Sequence, residues 1–432
     1  MNASSRLPQG ANWSYILGIA LLTTLLTWLA WNTNAHRMGF VLTSTSDPLG
    51  YYQWLPGIIL QHDPDSFRYV HYLESGKGLN LFTFGVALLQ APFFLLALLY
   101  CTITGITPTG YELPFVFTRL MATGFYGAVA IALSFHTLRR YWSATVGWVT
   151  CGLLIFATNL YYYTVHDGGM SHVYSFFLFA WLLHLTLTMV VRPNGRSLFG
   201  LFVCGTLIIL VRPLNGIALL LPLFYGIPWR DALKDRLHWF TRFPAWTLAG
   251  FGVALVLILP QLLYWKAQTG SYLVFTYGAK GEGFFWWSPH LWDILFSHQG
   301  GWLLYHPLMI GAMVMLLRGA CSGKPPMADW RAILLVWSVA WYLYASWWNW
   351  WLGGSFGHRG FVEHYAFLVL PLAACVDALI NWSRRFKWLL LVPAVFLIFL
   401  NIRMSHLAFS PMDGPTWTWD SLITFWGDAF YQ

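Results

Sequence analysis

Apolar runs recur along almost the whole chain, and they govern what it can fold into. They lie at 13–31, 81–104, 115–136, 143–160, 173–191, 198–211, 216–228, 245–265, 301–317, 332–348, 363–380 and 387–402. A helix needs about 20 such residues to cross the ~30 Å hydrocarbon core of a bilayer. Inside lipid a backbone must satisfy its own polar groups, which leaves helices or closed barrels. Runs of this length predict helices. Composition agrees, since only 9% of the residues are charged and 58% are hydrophobic. So little charge cannot cover a water-exposed surface. That excludes a soluble enzyme, a disordered scaffold and a nucleic-acid module. The expected fold is all-α: a polytopic transmembrane bundle of roughly 11–13 helices. It forms a single domain over 1–402, with a first outer loop at 32–80 and a short Trp-rich tail at 403–432.

Charge in the loops sets the orientation. The loops 137–142, 192–197, 229–244, 318–331 and 381–388 carry fourteen of the 24 Lys and Arg residues. The stretches alternating with them carry Arg212, Lys280, Arg359 and Arg403. The positive-inside rule places the first set in the cytoplasm and the second outside. The first apolar run has no small-residue cleavage site after it and reads as an uncleaved anchor. One parity conflict arises. With 32–80 also outside, the crossings between residues 80 and 161 must be even, yet three runs lie there. One of the three should be re-entrant or interfacial. The five cysteines sit mainly in apolar runs and read as free thiols.

Few ionisable groups remain on the outer side, and these are the candidates for chemistry. Asp47 follows the first run and precedes an aromatic, amphipathic stretch suited to an interfacial helix. A carboxylate at the water–lipid boundary can serve as a base, or it can simply cap a short helix with Pro48 behind it. The stretch 161–172 sets Asp167 between His166 and His172, beside Gly168-Gly169. Those donors suit either a divalent cation or hydrogen bonds to an acceptor. Arg212-Pro213 breaks an apolar run. An arginine there should face an anion or a polar cavity, or else snorkel to the headgroups. The late loop reads Gly353-Gly354-Ser355-Phe356-Gly357-His358-Arg359 after four tryptophans. Its glycines expose N–H groups, and His358 and Arg359 add positive charge, as a phosphate cradle requires. The loop 266–300 offers Lys280, Glu282 and several aromatics, which suit a sugar face or an interfacial anchor.

In their order along the chain, these motifs resemble the GT-C superfamily of polytopic glycosyltransferases. The closest likeness is to the bacterial branch related to protein O-mannosyltransferases and lipid A aminoarabinose transferases. The likeness rests on Asp47 after the first run, Gly85 to Pro92, Arg119-Leu120, Asp167 to Phe177, Arg212-Pro213 and the Gly-Gly-Ser-Phe-Gly-His-Arg loop. Pro48 stands where that family often has a second acidic residue, and a short tail stands where it often has a soluble domain. The resemblance implies inverting sugar transfer from a polyprenyl-phosphate donor to an acceptor hydroxyl, on the outer face of the inner membrane. It makes Asp47 the base, and Arg359, His358 and Arg212 the partners of the donor phosphate. Asp167, with His166 and His172, would position the acceptor or a metal. No cofactor is required, or else a divalent cation. The partners are the lipid-linked donor, membrane lipids and a lipid, glycan or protein acceptor, with no nucleic acid. A flippase for polyprenyl-linked glycans and a non-catalytic subunit of a polysaccharide assembly complex are the alternatives.

Overall fold

The computed structural model describes residues 13–34, 46–322, 329–382, 387–408, 412–414 and 416–431. The basic residues Lys324, Arg384 and Arg385, counted in the loop charges above, lie outside the described residues, as does the 35–45 part of the first loop. In chain order the helices are α1 Trp13–Asn34, α2 Asp47–Tyr52, α3 Gly85–Thr104, α4 Leu113–Leu138, α5 Ala144–Phe156, α6 Leu160–Val165, α7 His172–Val191, α8 Gly195–Val211, α9 Leu220–Phe224, α10 Ala232–Arg242, α11 Pro244–Thr269, α12 Asp293–Phe296, α13 Trp302–Tyr305, α14 Leu308–Ser322, α15 Trp330–Ser346, α16 Tyr365–Trp382, α17 Lys387–Leu407 and α18 Trp419–Tyr431. A two-stranded antiparallel hairpin, β1 His71–Tyr72 with β2 Gly78–Leu79, closes the first loop.

This is an all-α membrane bundle. Among the described residues, α1, α3, α4, α7, α11 and α16 are long and apolar enough to cross a membrane, and five shorter apolar stretches accompany them. Breaks within the runs explain the short pieces. The run 143–160 stops as α5 at Phe156, and Thr158 and Asn159 turn the chain into α6. The run 301–317 is cut at His306-Pro307. After α8, Arg212 is extended (φ −153°, ψ 116°) and Pro213 opens a 3-10 turn, Pro213–Leu219, before α9. Proline has no N–H and clashes with a preceding helical turn, so the break falls where the Arg-Pro pair predicts it. Outward faces stay apolar, as on α11, where Leu248, Phe251, Leu255 and Val256 are all exposed. All five cysteines are free thiols.

The bundle has two chemically different ends. α7 starts at His172, which contacts Glu363, and ends beside Arg192; α8 starts after Arg192 and returns to Arg212, which also contacts Glu363. From His172 to Val190 is about 27 Å at 1.5 Å per residue. The loops 137–142 and 192–197 and helix α10 thus gather at one end, and the residues singled out for chemistry gather at the other.

Helix α3 bears on the parity conflict. Just before it, Asn80 Nδ2 donates to the Gly50 carbonyl (2.9 Å) and Phe82 accepts from Trp54 Nε1 (3.0 Å). Just after it, Gly110 accepts from the Tyr52 hydroxyl (2.5 Å). Both flanks of α3 therefore return to the same short helix, α2. For all its length and hydropathy, α3 leaves from and returns to one short helix, as the re-entrant or interfacial run of the three should.

The tail is not a separate appendage. The expected boundary at 402/403 falls inside α17. Beyond it, Leu422, Phe425 and Ala429 of α18 are buried with Tyr305, Phe356 and Met404. Trp417 Nε1 donates to the His298 carbonyl (3.0 Å), and Trp351 Nε1 donates to Asp413 Oδ2 (3.0 Å).

Candidate functional site

Segments from six parts of the chain converge at the site end. Asp47 opens α2, where Pro48 at the next position presets the helical φ. Its Oδ2 lies 3.3 Å from Arg359 Nη2, which donates to it across 312 residues of sequence. Both side chains are partly exposed, Arg359 by 24% and Asp47 by 33%.

Arg359 is held in place by the loop before it. Gly357 has φ +62°, and a Cβ there would overlap His306 Nε2, so only glycine fits. Phe361, fully buried, packs on Trp302 with ring centroids 4.6 Å apart. The N–H groups of this loop are only partly free to cradle a ligand. Leu352 N–H donates to Asn349 O, Gly353 N–H to Asn349 Oδ1 and Ser355 N–H to Gly353 O.

Behind this pair lies a second carboxylate, Glu363, which is wholly buried. Its Oε1 accepts from Arg212 Nη1 at 2.9 Å and its Oε2 from His172 Nδ1 at 3.0 Å. Burial alone would push this carboxyl up. His172 and then Arg212 outweigh burial and hold it down at about 2. Glu363 is therefore an anion, and Arg212 faces that anion instead of lipid. Asn215 at the same break donates to Ser175 Oγ (2.9 Å), fixing the turn against α7.

Two tyrosines join the groups. The charges of Arg212, Asp47 and Arg359 all act on Tyr51 and on Tyr277. Burial is the largest influence on both phenols and raises them, so each remains a hydroxyl donor. Asp167 acts electrostatically on Arg359 and on Arg119. Arg119 is buried and donates from Nη2 to the Pro48 carbonyl at 3.2 Å. Gly169 packs so closely here that a Cβ would overlap the Arg119 guanidinium. At the rim, Lys280 pairs with Glu282 at 3.1 Å, and the charge of Asp47 reaches Lys280.

Two expectations need correction. His358 supplies no positive charge. It is fully buried, its Nε2–H donates to the Trp350 carbonyl (2.8 Å), and burial pushes the imidazole down to about 3. It anchors the loop through this bond and adds no cation beside Arg359. His166, Asp167 and His172 do not form a metal-ligand set either. His172 is committed to Glu363, while His166 stacks on Tyr162 (5.3 Å, 5°) and meets His406 edge-on. Among the described residues no three His, Cys, Asp or Glu side chains are grouped to hold a metal ion.

Sequence reasoning gave no role to Glu363 or Tyr51, and it set Tyr277 only among the aromatics of the loop 266–300. Glu363 carried a usable signal. A carboxylate opening an apolar run needs a cation, and Arg212 was the obvious unpaired one. The tyrosines carried none, being lost among 22 tyrosines and a broad aromatic belt.

No family model matches the chain, and no curated protein or solved structure matches it either. The case for function therefore rests on the geometry of this site.

Proposed function

We propose that this chain is a membrane glycosyltransferase of GT-C type. It transfers a sugar, with inversion, from a polyprenyl-phosphate donor to an acceptor hydroxyl on a lipid, glycan or protein. The observation that carries the reading is the meeting of Asp47 and Arg359. A carboxylate and a guanidinium from opposite ends of the chain stand together, partly open to solvent, at the end away from the basic loops. The positive-inside rule supports placing that end on the outer face of the inner membrane.

The chemistry follows from charge. A polyprenyl phosphate is already a competent leaving group, so the site needs a base and cations more than a strong acid. Asp47 takes the proton of the acceptor hydroxyl as its oxygen forms a bond to the anomeric carbon. The bond from that carbon to the phosphate oxygen breaks, and the electron pair leaves with the phosphate. Arg359 holds the departing phosphate, and Arg212, aimed by Glu363, adds to the positive field. Tyr51 and Tyr277 offer hydroxyl donors beside it. An arriving phosphate competes with Asp47 for Arg359, so donor binding would free the base.

The test is Asp47→Asn expressed at the wild-type level, with lipids and glycans read by mass spectrometry. The expected result is accumulated donor and an acceptor lacking the sugar, with transfer falling by about 10²–10⁴-fold. An unchanged glycan profile would sink the mechanism. Vesicle transport of the lipid-linked sugar by purified protein, without transfer, would replace it with the flippase reading.

A further inference from the structure

The basic end holds the other distinctive feature of the molecule, a cavity of about 670 Å³ between α7 and α10. That volume lies within the ~300–1,000 Å³ typical of ligand sites. Val190 and Pro193 at the end of α7 form one wall, and Lys234, His238, Trp239 and Thr241 of α10 form another.

α10 is fastened there by its inner face. Ala232, Arg236 and Trp239 are buried. Arg236 donates from Nε to the Pro222 carbonyl (2.7 Å) and from Nη2 to the Tyr225 carbonyl (2.5 Å), and its guanidinium lies 4.1 Å over the Trp239 ring. Flanking that face, Leu233 and Leu237 form an exposed apolar stripe four residues apart, with exposed Trp229 just ahead of the helix. A stripe of that kind beside basic residues is what a helix lying in a headgroup layer presents.

The charges around the cavity are unbalanced. Asp235 lines it beside Lys234 and Arg236. Arg192, Arg196, Arg230, Lys234 and Arg242 belong to none of the ion pairs formed among the described residues. Cations at an apolar-walled cavity, on a helix that dips into the interface, call for an anion that carries its own apolar tail.

We infer that the cavity between α7 and α10 binds one anionic phospholipid of the cytoplasmic leaflet. Its phosphate would sit against Lys234 and its acyl chains would lie along Val190 and Leu237. This site lies about 27 Å along α7 from His172 and does not depend on the glycosyltransferase reading. Basic pockets between helices on the cytoplasmic side suit such headgroups, and each Lys or Arg near the surface contributes about fivefold in affinity.

The experiment is native mass spectrometry of full-length protein released from nanodiscs of mixed phosphatidylglycerol and phosphatidylcholine. Wild-type protein should retain a phosphatidylglycerol adduct. Lys234→Gln should reduce retention by roughly fivefold and Lys234→Glu by more, while Lys234→Arg should keep it. Lys234 is exposed, so these changes leave the packed face of α10 intact. Val190→Trp, which fills the cavity and leaves the cations in place, should also remove the adduct. Equal retention by Lys234→Glu and wild type, or equal retention of phosphatidylcholine, would overturn the inference. So would displacement of the adduct by inorganic phosphate in solution, which would assign the cavity to a free anion.

Discussion

The two carboxylates that meet arginines at the site end differ in how tightly they are held. Glu363 has no exposure, and both of its oxygens are occupied, at 2.9 Å and 3.0 Å. Asp47 is one-third exposed and shares a single 3.3 Å contact with Arg359. A buried ion pair has no water to fall back on when one partner is lost, and breaking it costs about 3–5 kcal/mol. An exposed pair contributes only about 0–1 kcal/mol, because water takes over readily. The difference separates two jobs. Glu363 fixes the positions of Arg212 and His172, whereas Asp47 can exchange its partner for a substrate.

The strongest way to break that contrast is Glu363→Gln. It leaves Arg212 facing a neutral, fully buried amide, and the expected loss of stability is about 3–5 kcal/mol, read as unfolding in detergent. Acid should reproduce it. The folded Glu363 carboxyl sits near 2, below its ordinary value of 4.5. A depressed acid of this kind stabilises the fold fully above the unfolded value. That contribution, about 3 kcal/mol, is lost as pH falls from 4.5 towards 2. The variant should show a flatter acid limb over that window. A variant as stable as wild type, with an unchanged acid limb, would mean that Glu363 does not hold the two segments together.

His358 tests a middle case, a buried neutral group beside the exposed Arg359. His358→Ala strands the Trp350 carbonyl and should destabilise by about 1–3 kcal/mol. His358→Gln can return an amide N–H near the Nε2 position, and it should restore stability and keep transfer near wild type. If the glutamine variant folds normally yet loses donor binding, the histidine acts as a cation and the assignment to loop anchoring is wrong.

Much of this could be read from sequence, for reasons the residues make plain. Backbone groups in lipid must pair within a helix, so apolar runs mark helices dependably. Asp47, Arg212 and Arg359 stood out because charge is rare in the chain. Glu363 did not, because it was counted as the first residue of the run 363–380. Its partners lie 191 and 151 residues away, a distance that no local pattern reports. His358 reads as a cation in sequence because its neighbour Arg359 is one, and only burial separates the two roles. α3 shows a different limit. Its apolar length predicts a crossing, and only the contacts of its flanks with α2 show that the chain returns to the short helix it left.

The smallest expected effect decides the comparison. Asp47→Asn keeps the shape of the side chain, leaves Pro48 to open α2 and removes only a loose, solvent-screened pairing. Its stability should change by less than about 1 kcal/mol, measured in the same detergent unfolding series as Glu363→Gln. The two carboxylates would then be distinguished by which property fails. One variant folds and does not transfer, while the other loses transfer along with its fold. A loss of stability at Asp47 as large as at Glu363 would make Asp47 a structural partner of Arg359. Any loss of transfer in that variant would then reflect the damaged fold, and the loop arginine would no longer have a base beside it that substrate could release.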